Sequence, residues 1–196
     1  MTFDPFSEPD GATPITAEER EGLKQHAIAT RHELNLAEQA NILKSRRWAM
    51  SQHKKNLLTT RFTCQLHHRM FADVWNWAGS YRTTARNIGI EAYRIPIDLP
   101  QKLDDTQYQI QHQVYSNDEI AVRLHHQLVY VHPFPNGNGR HARFFADLIA
   151  IQLGNPPFSW GQETLTDTSQ TRSQYIETLR CADQHDIQPL LTFARS

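Results

Sequence analysis

Twelve consecutive residues, His132-Pro133-Phe134-Pro135-Asn136-Gly137-Asn138-Gly139-Arg140-His141-Ala142-Arg143, bring together an imidazole, two glycines and two arginines. A neutral imidazole can act as a general base toward a hydroxyl. Glycines let backbone N–H groups turn toward an oxyanion, and a helix N-terminus adds partial positive charge. Arginines hold phosphate oxygens through forked donors. This combination predicts a loop that holds a nucleoside triphosphate beside a base. His132 is then the base. The backbone of Gly137 to Gly139, with Arg140 and Arg143, forms the phosphate clamp. Asn138 either bonds phosphate or braces the loop, and Phe134 anchors the loop in the core.

Two helices must position this loop. Upstream, Ile120, Leu124 and Leu128 recur at four-residue spacing and predict a helix over residues 118–131. Pro133 and Pro135 force the chain out of it, which leaves His132 at the helix end. Downstream, Ala142, Phe145, Ala146, Ile149 and Leu153 mark a second apolar stripe, ended by Gly154 and Pro156. That helix starts near Gly139 or Arg140, so Arg140 and Arg143 share its first turn. Arginines there oppose the helix dipole, and an anionic ligand would offset the conflict.

The rest of the chain reads as mainly helical. Residues 1–15 form a turn-rich arm, and residues 16–196 form a single domain. Within that domain, residues 16–55 are N-terminal helices and 56–196 the core. Thr16-Ala17-Glu18-Glu19 has the form of a helix start. Residues 60–74 carry Phe62, Leu66, Met70 and Phe71 on one stripe. Residues 81–97 change character: Arg86-Asn87-Ile88-Gly89 signals a turn, and Tyr93, Ile95 and Ile97 alternate. They are expected to form one short β-hairpin with a solvated cluster of Arg82, Arg86, Arg94 and Lys102.

Composition narrows the function classes. The formal net charge is −1, which argues against a dedicated nucleic-acid or membrane surface. Two distant cysteines, Cys64 and Cys181, give neither a disulfide framework nor zinc-knuckle spacing. No signal-peptide pattern opens the chain, so a cytoplasmic location is expected. His125, His126, His132 and His141 raise a zinc alternative, but their spacing fits no defensible ligand set.

His132, Phe134, Gly137, Asn138, Gly139, Arg140 and Arg143 resemble the signature of the Fic/Doc family, with Asn136 where that family usually has Asp or Glu. Trp77-Ala78-Gly79-Ser80-Tyr81-Arg82 is similar to the segment ahead of the family's hairpin flap. The chain also resembles the Fic subgroup called mobile mystery protein B, through residues 10–14, 33–42 and 136–143. The resemblance implies an all-α bundle with a short β-hairpin flap on which a target protein docks. It implies transfer of AMP from ATP to a target hydroxyl, and Asn136 beside Mg²⁺ that is held mostly by phosphates and water. Asp147, one turn past Arg143, could substitute as the carboxylate. Family members are often restrained by a glutamate that ion-pairs the second motif arginine, which makes Glu33 and Glu38 candidates. Alternatives are transfer of another phosphate-containing group, or a catalytically weak nucleotide-binding regulator from a toxin–antitoxin pair, with an antitoxin-like partner or self-assembly.

Overall fold

The computed structural model describes residues 15–52, 55–161 and 170–196, and among these it is helical, with no paired strands. The expected arm, residues 1–14, lies outside the described residues. The first helix, α1 (Ala17–Arg20), opens on a capping box in which Thr16 Oγ1 accepts from Glu19 N–H and Glu19 answers on Thr16 N–H. Turns follow over residues 21–30, where Leu23 bridges Trp75. The second helix, α2 (Arg31–Met50), starts on a capping box of Thr30 and Glu33. Helicity between residues 16 and 55 is therefore broken by ten residues of turn, because each of two capping boxes begins its own helix.

Helix α3 (Thr60–Phe71) buries Phe62, Leu66, Met70 and Phe71, the stripe legible in the sequence. Residues 81–91 then run as irregular loop, not as a hairpin. A single 3₁₀ turn (Ala92–Arg94) leads into α4 (Ile95–Gln111). The alternation of Tyr93, Ile95 and Ile97 does not mark a strand. Ile95 is buried with Leu99 and Leu103 at four-residue spacing, while Tyr93 and Ile97 face solvent. Pro96 sits in the first turn, where its missing N–H breaks no helical hydrogen bond.

The core is built on α5 (Asn117–Val131) and α6 (Asn138–Gln152), which pack against each other. Ten of the residues of α6 are buried, from Asn138 to Ala150, so this helix is enclosed nearly all round. α7 (Gln170–Asp183) and α8 (Gln188–Arg195) close the remaining side, with α8 also on α5. Burying residues such as Phe71, Phe134 and Phe145 completely contributes roughly 2 kcal/mol each.

Candidate active site

His132 closes α5 in the left-handed conformation, at φ 51 and ψ 58. Histidine tolerates this region better than bulky apolar residues, and Pro133 bars continuation of the helix. Its Nδ1–H donates to Val129 O at 3.1 Å. A carbonyl only accepts, so the proton is on Nδ1 and the basic lone pair is on Nε2. Burial pushes the imidazole down to about 4, so it is neutral at physiological pH.

The loop is braced from several directions. Arg82 is buried and donates from Nε to His132 O at 2.6 Å, from Nη1 to Thr84 O at 2.9 Å, and also to Ile90 O. Arg86 is likewise enclosed, in an ion pair with Glu19. Neither is the solvated charge expected from the sequence. Arg82 ties residues 82–91 down onto the loop, and Arg86 ties them to α1. Gly89 is packed so closely that an added Cβ would lie 2.5 Å from His132 Cβ.

Phe134 is fully buried, stacked on His67 with ring centroids 3.8 Å apart. His67 is the positioning residue that the sequence did not disclose. Its Nε2–H donates to Asn136 O at 3.0 Å and its Nδ1 accepts Gly79 N–H at 2.9 Å. Burial holds it neutral, well below the usual imidazole range. The ring thus joins the Trp77–Gly79 turn to the loop. The signal available was only that His67 lies on the apolar stripe of α3. Asn138 braces the loop, its side chain pairing with both backbone groups of Phe134 at 2.9 and 2.8 Å.

Gly137 is the N-cap of α6, at φ 78, and a Cβ there would lie 2.6 Å from the Phe71 ring. It offers no side chain to cap the helix. The first amides of α6, including Gly139, have no carbonyl within the helix to bond, which suits them to an anion. Arg140 and Arg143 leave this turn in different directions. Arg140 reaches α2 and pairs with Glu38 Oε2 at 2.6 Å, its guanidinium lying over the Phe71 ring. Arg143 lies over Tyr175 of α7, its guanidinium carbon 5.1 Å from the ring centroid. Both line one cavity of about 1000 Å³ with His132 and residues 136–139.

Glu33 and Glu38 separate cleanly. Glu33 is exposed, and its carboxylate accepts Ala29 and Thr30 N–H at 2.9 and 3.0 Å. These backbone donors hold its carboxyl below the usual range. It caps α2 and reaches neither motif arginine. Glu38 is 1% exposed, with Oε1 accepting Trp75 Nε1–H at 2.6 Å and Oε2 on Arg140. The pairing is with the first motif arginine, not with Arg143.

A resident metal does not fit these donors. Asn136 Oδ1 accepts from Arg140 Nη2 at 3.3 Å, so its side-chain oxygen already faces a positive guanidinium, which opposes a second cation there. Asp147 is no substitute, because its Oδ1 accepts Phe158 N–H and Trp160 Nε1–H at 3.1 and 3.0 Å, fastening the segment after α6. Burial raises its carboxyl to about 6. Among the described residues no three His, Cys, Asp or Glu side chains gather as a metal site. The histidines of the zinc alternative are engaged elsewhere, as in His141 donating to Thr63 O at 3.1 Å and His126 on Asp183 at 2.8 Å. None of the helices among the described residues is long and apolar enough to cross a membrane.

Residues 57–150 match the model of the Fic/DOC family. A protein adenylyltransferase Fic of Nematostella vectensis is 29% identical over 144 residues, covering 71% of this chain and 32% of that protein. The chain thus spans about a third of that relative's length. In fold, it is similar to the N-terminal FIC domain of the Bep8 protein from Bartonella sp. 1-1C, with a TM-score of 0.67 at 14% identity, covering 88% of this chain and 89% of that one. The BepC protein of Bartonella tribocorum, solved with bound AMPPNP, superposes with a TM-score of 0.64 at 18% identity, covering 92% and 97%.

Proposed function

We propose that the chain, whose residues 57–150 match the Fic/DOC family model, is a nucleotidyltransferase, moving AMP from ATP to a hydroxyl of a target protein. One observation carries this reading. A neutral histidine with its lone pair on Nε2 shares a cavity with an uncapped helix N-terminus and two arginines. The naming of the Nematostella vectensis relative as an adenylyltransferase supports it, as does the AMPPNP bound to BepC.

In this reading ATP lays its phosphates on the amides of residues 138–140, with Arg143 as the side-chain donor. Mg²⁺ accompanying ATP would be held by the phosphates and water and would add charge neutralisation, with no side chain of this loop assigned to it. His132 Nε2 takes the proton of the incoming hydroxyl as its oxygen attacks the α-phosphorus. Pyrophosphate leaves with the electrons of the broken P–O bond. Positioning and charge neutralisation dominate such transfers, and this loop supplies both. The target docks beside residues 83–91, which cover His132.

Glu38 restrains the reaction, since Arg140 cannot serve a phosphate fully while it neutralises a carboxylate. On its residues 10–14, 33–42 and 136–143 we place the chain in the mobile mystery protein B subgroup, working in the cytoplasm. A slow, regulatory nucleotide binder is the second reading, favoured by the amide at Asn136. Incubation of wild type, Glu38→Gly and Glu38→Gly/His132→Ala with ATP labelled at the α-phosphate tests both. Label on protein from Glu38→Gly, lost with His132, is the expected result. Bound nucleotide with no label on any protein would sink the enzyme and leave the binder.

A further inference from the structure

Asn136 stands where the resembling signature has an acidic residue, yet its amide oxygen meets a cation that belongs to the protein. Arg140 Nη2 donates to Asn136 Oδ1 at 3.3 Å, Nη1 donates to Glu38 at 2.6 Å, and the guanidinium face rests on Phe71. Asn136 is itself fixed, since it is nearly buried and its carbonyl is held by His67 at 3.0 Å. The contact spans one helical turn at the start of α6, between residues four apart.

We propose that Asn136 is a positioning residue for Arg140 and not a metal ligand. The inference rests on the nucleotide reading above and deepens it. The chemistry lies in the difference between an amide and a carboxylate. Both accept a hydrogen bond from a guanidinium. A carboxylate also neutralises it, as Glu38 does. An amide orients the guanidinium and leaves its charge for another anion. When Glu38 withdraws, Arg140 loses its countercharge but keeps Asn136 and Phe71. It therefore stays aimed at the α6 N-terminus, charged and ready for phosphate. Two partners divide the work: Glu38 determines whether Arg140 is available, and Asn136 determines where it points.

The test is a double-mutant cycle in nucleotide binding. All proteins carry Glu38→Gln, which removes the countercharge. Asn136→Leu keeps the size and deletes the acceptor; Asn136→Ala repeats the measurement should leucine not be accommodated. Each is combined with Arg140→Ala, and ATP affinity is measured by calorimetry with chelator and then with Mg²⁺. Removing the acceptor is expected to weaken metal-free ATP binding roughly tenfold, the loss of one hydrogen bond to a charged group. In the Arg140→Ala background it should cause no further loss. A loss seen only with Mg²⁺ would make Asn136 a metal ligand and overturn the proposal. An equal loss without Arg140, no loss at all, or a Glu38→Gln parent that binds no metal-free ATP would also overturn it. AMP transfer is scored on the same samples. An intact cycle without transfer sinks the reaction and leaves the positioning role, while transfer without the cycle does the reverse.

Discussion

The cavity has two walls that are held in opposite ways. The α5–α6 loop is fixed by neutral contacts, Gly137 against Phe71, Asn138 on Phe134 and His67 on Asn136, and by backbone carbonyls that accept from the Arg82 guanidinium. α2 turns Leu36, Leu43 and Met50 to solvent and buries Glu38, Asn41 and Ser45. Its tie to the motif is the Glu38–Arg140 ion pair. Packed, neutral contacts do not respond to an incoming anion. A buried ion pair does, because its two charges are stable only together. The first wall is built to stay, and the second is built to be displaced.

The largest way to break the permanent wall is through its chemistry. His132→Ala is expected to lower transfer by about 10²–10⁴-fold while the thermal melt stays cooperative. Transfer at the wild-type rate, followed by label incorporation in the Glu38→Gly background, would show that another group is the base.

Acid should attack the same wall through its histidines. His132 and His141 are both depressed to about 4 from a usual 6.5. Their folded pKa lies below the unfolded one, so the stability they contribute is complete above about 6.5 and is lost as pH falls toward 4. Each would cost on the order of 3 kcal/mol when fully protonated in place. Asp147 works the other way: its carboxyl is raised from 3.8 to about 6, so the stability it contributes is complete below about 3.8 and is lost as pH rises through about 6, an opposing change comparable to that of one histidine. Denaturant melts from pH 7 to 4 should show a falling midpoint. A flat profile would mean that these imidazoles are solvated.

Gly137→Ala sharpens the comparison sterically. Its Cβ meets the Phe71 ring at 2.6 Å and its φ is positive, so a loss of about 2–3 kcal/mol is expected. Chemical denaturation measures it, and a loss under 0.5 kcal/mol would mean that the loop adapts freely.

The displaceable wall should answer with activity more than with stability. Glu38→Gly is expected to raise labelling roughly tenfold, and Glu33→Gly to leave it unchanged while weakening the capping of α2. A rise with Glu33→Gly and none with Glu38→Gly, in parallel label assays, would reverse the assignment. The smallest change is expected from Trp75→Phe, which deletes one donor to Glu38 and should raise labelling a few-fold.

How far the chain could be read in advance differs between these walls for a physical reason. The motif loop, the two flanking helices and the α3 stripe depend on neighbours within a few turns, and periodicity and proline report such neighbours directly. That α5 ends at His132 follows from Pro133 beside it, whereas its left-handed conformation does not, since proline biases the preceding residue toward extended backbone. In residues 81–97, two-residue alternation describes Tyr93, Ile95 and Ile97 whether a strand alternates there or only Ile95 is buried. Ile95, Leu99 and Leu103 form a local stripe at four-residue spacing that marks a helix instead, and the distant contacts that decide the segment are Arg82 and Arg86 reaching His132 and Glu19.

By itself the sequence determined that an imidazole, an uncapped helix start and two arginines would share one loop. It also determined that a helix bearing Glu33 and Glu38 would precede the core. Only the tertiary structure decided between those glutamates, because the partner of Glu38 lies 102 residues away and a capping box claims Glu33 locally. Only the tertiary structure gave Asn136 a guanidinium for company, turned Asp147 toward Trp160, and made His67 the link between turn and loop. Residue type sets which partners a side chain can accept. Which partner comes within 3 Å depends on how α2, α3 and α6 pack.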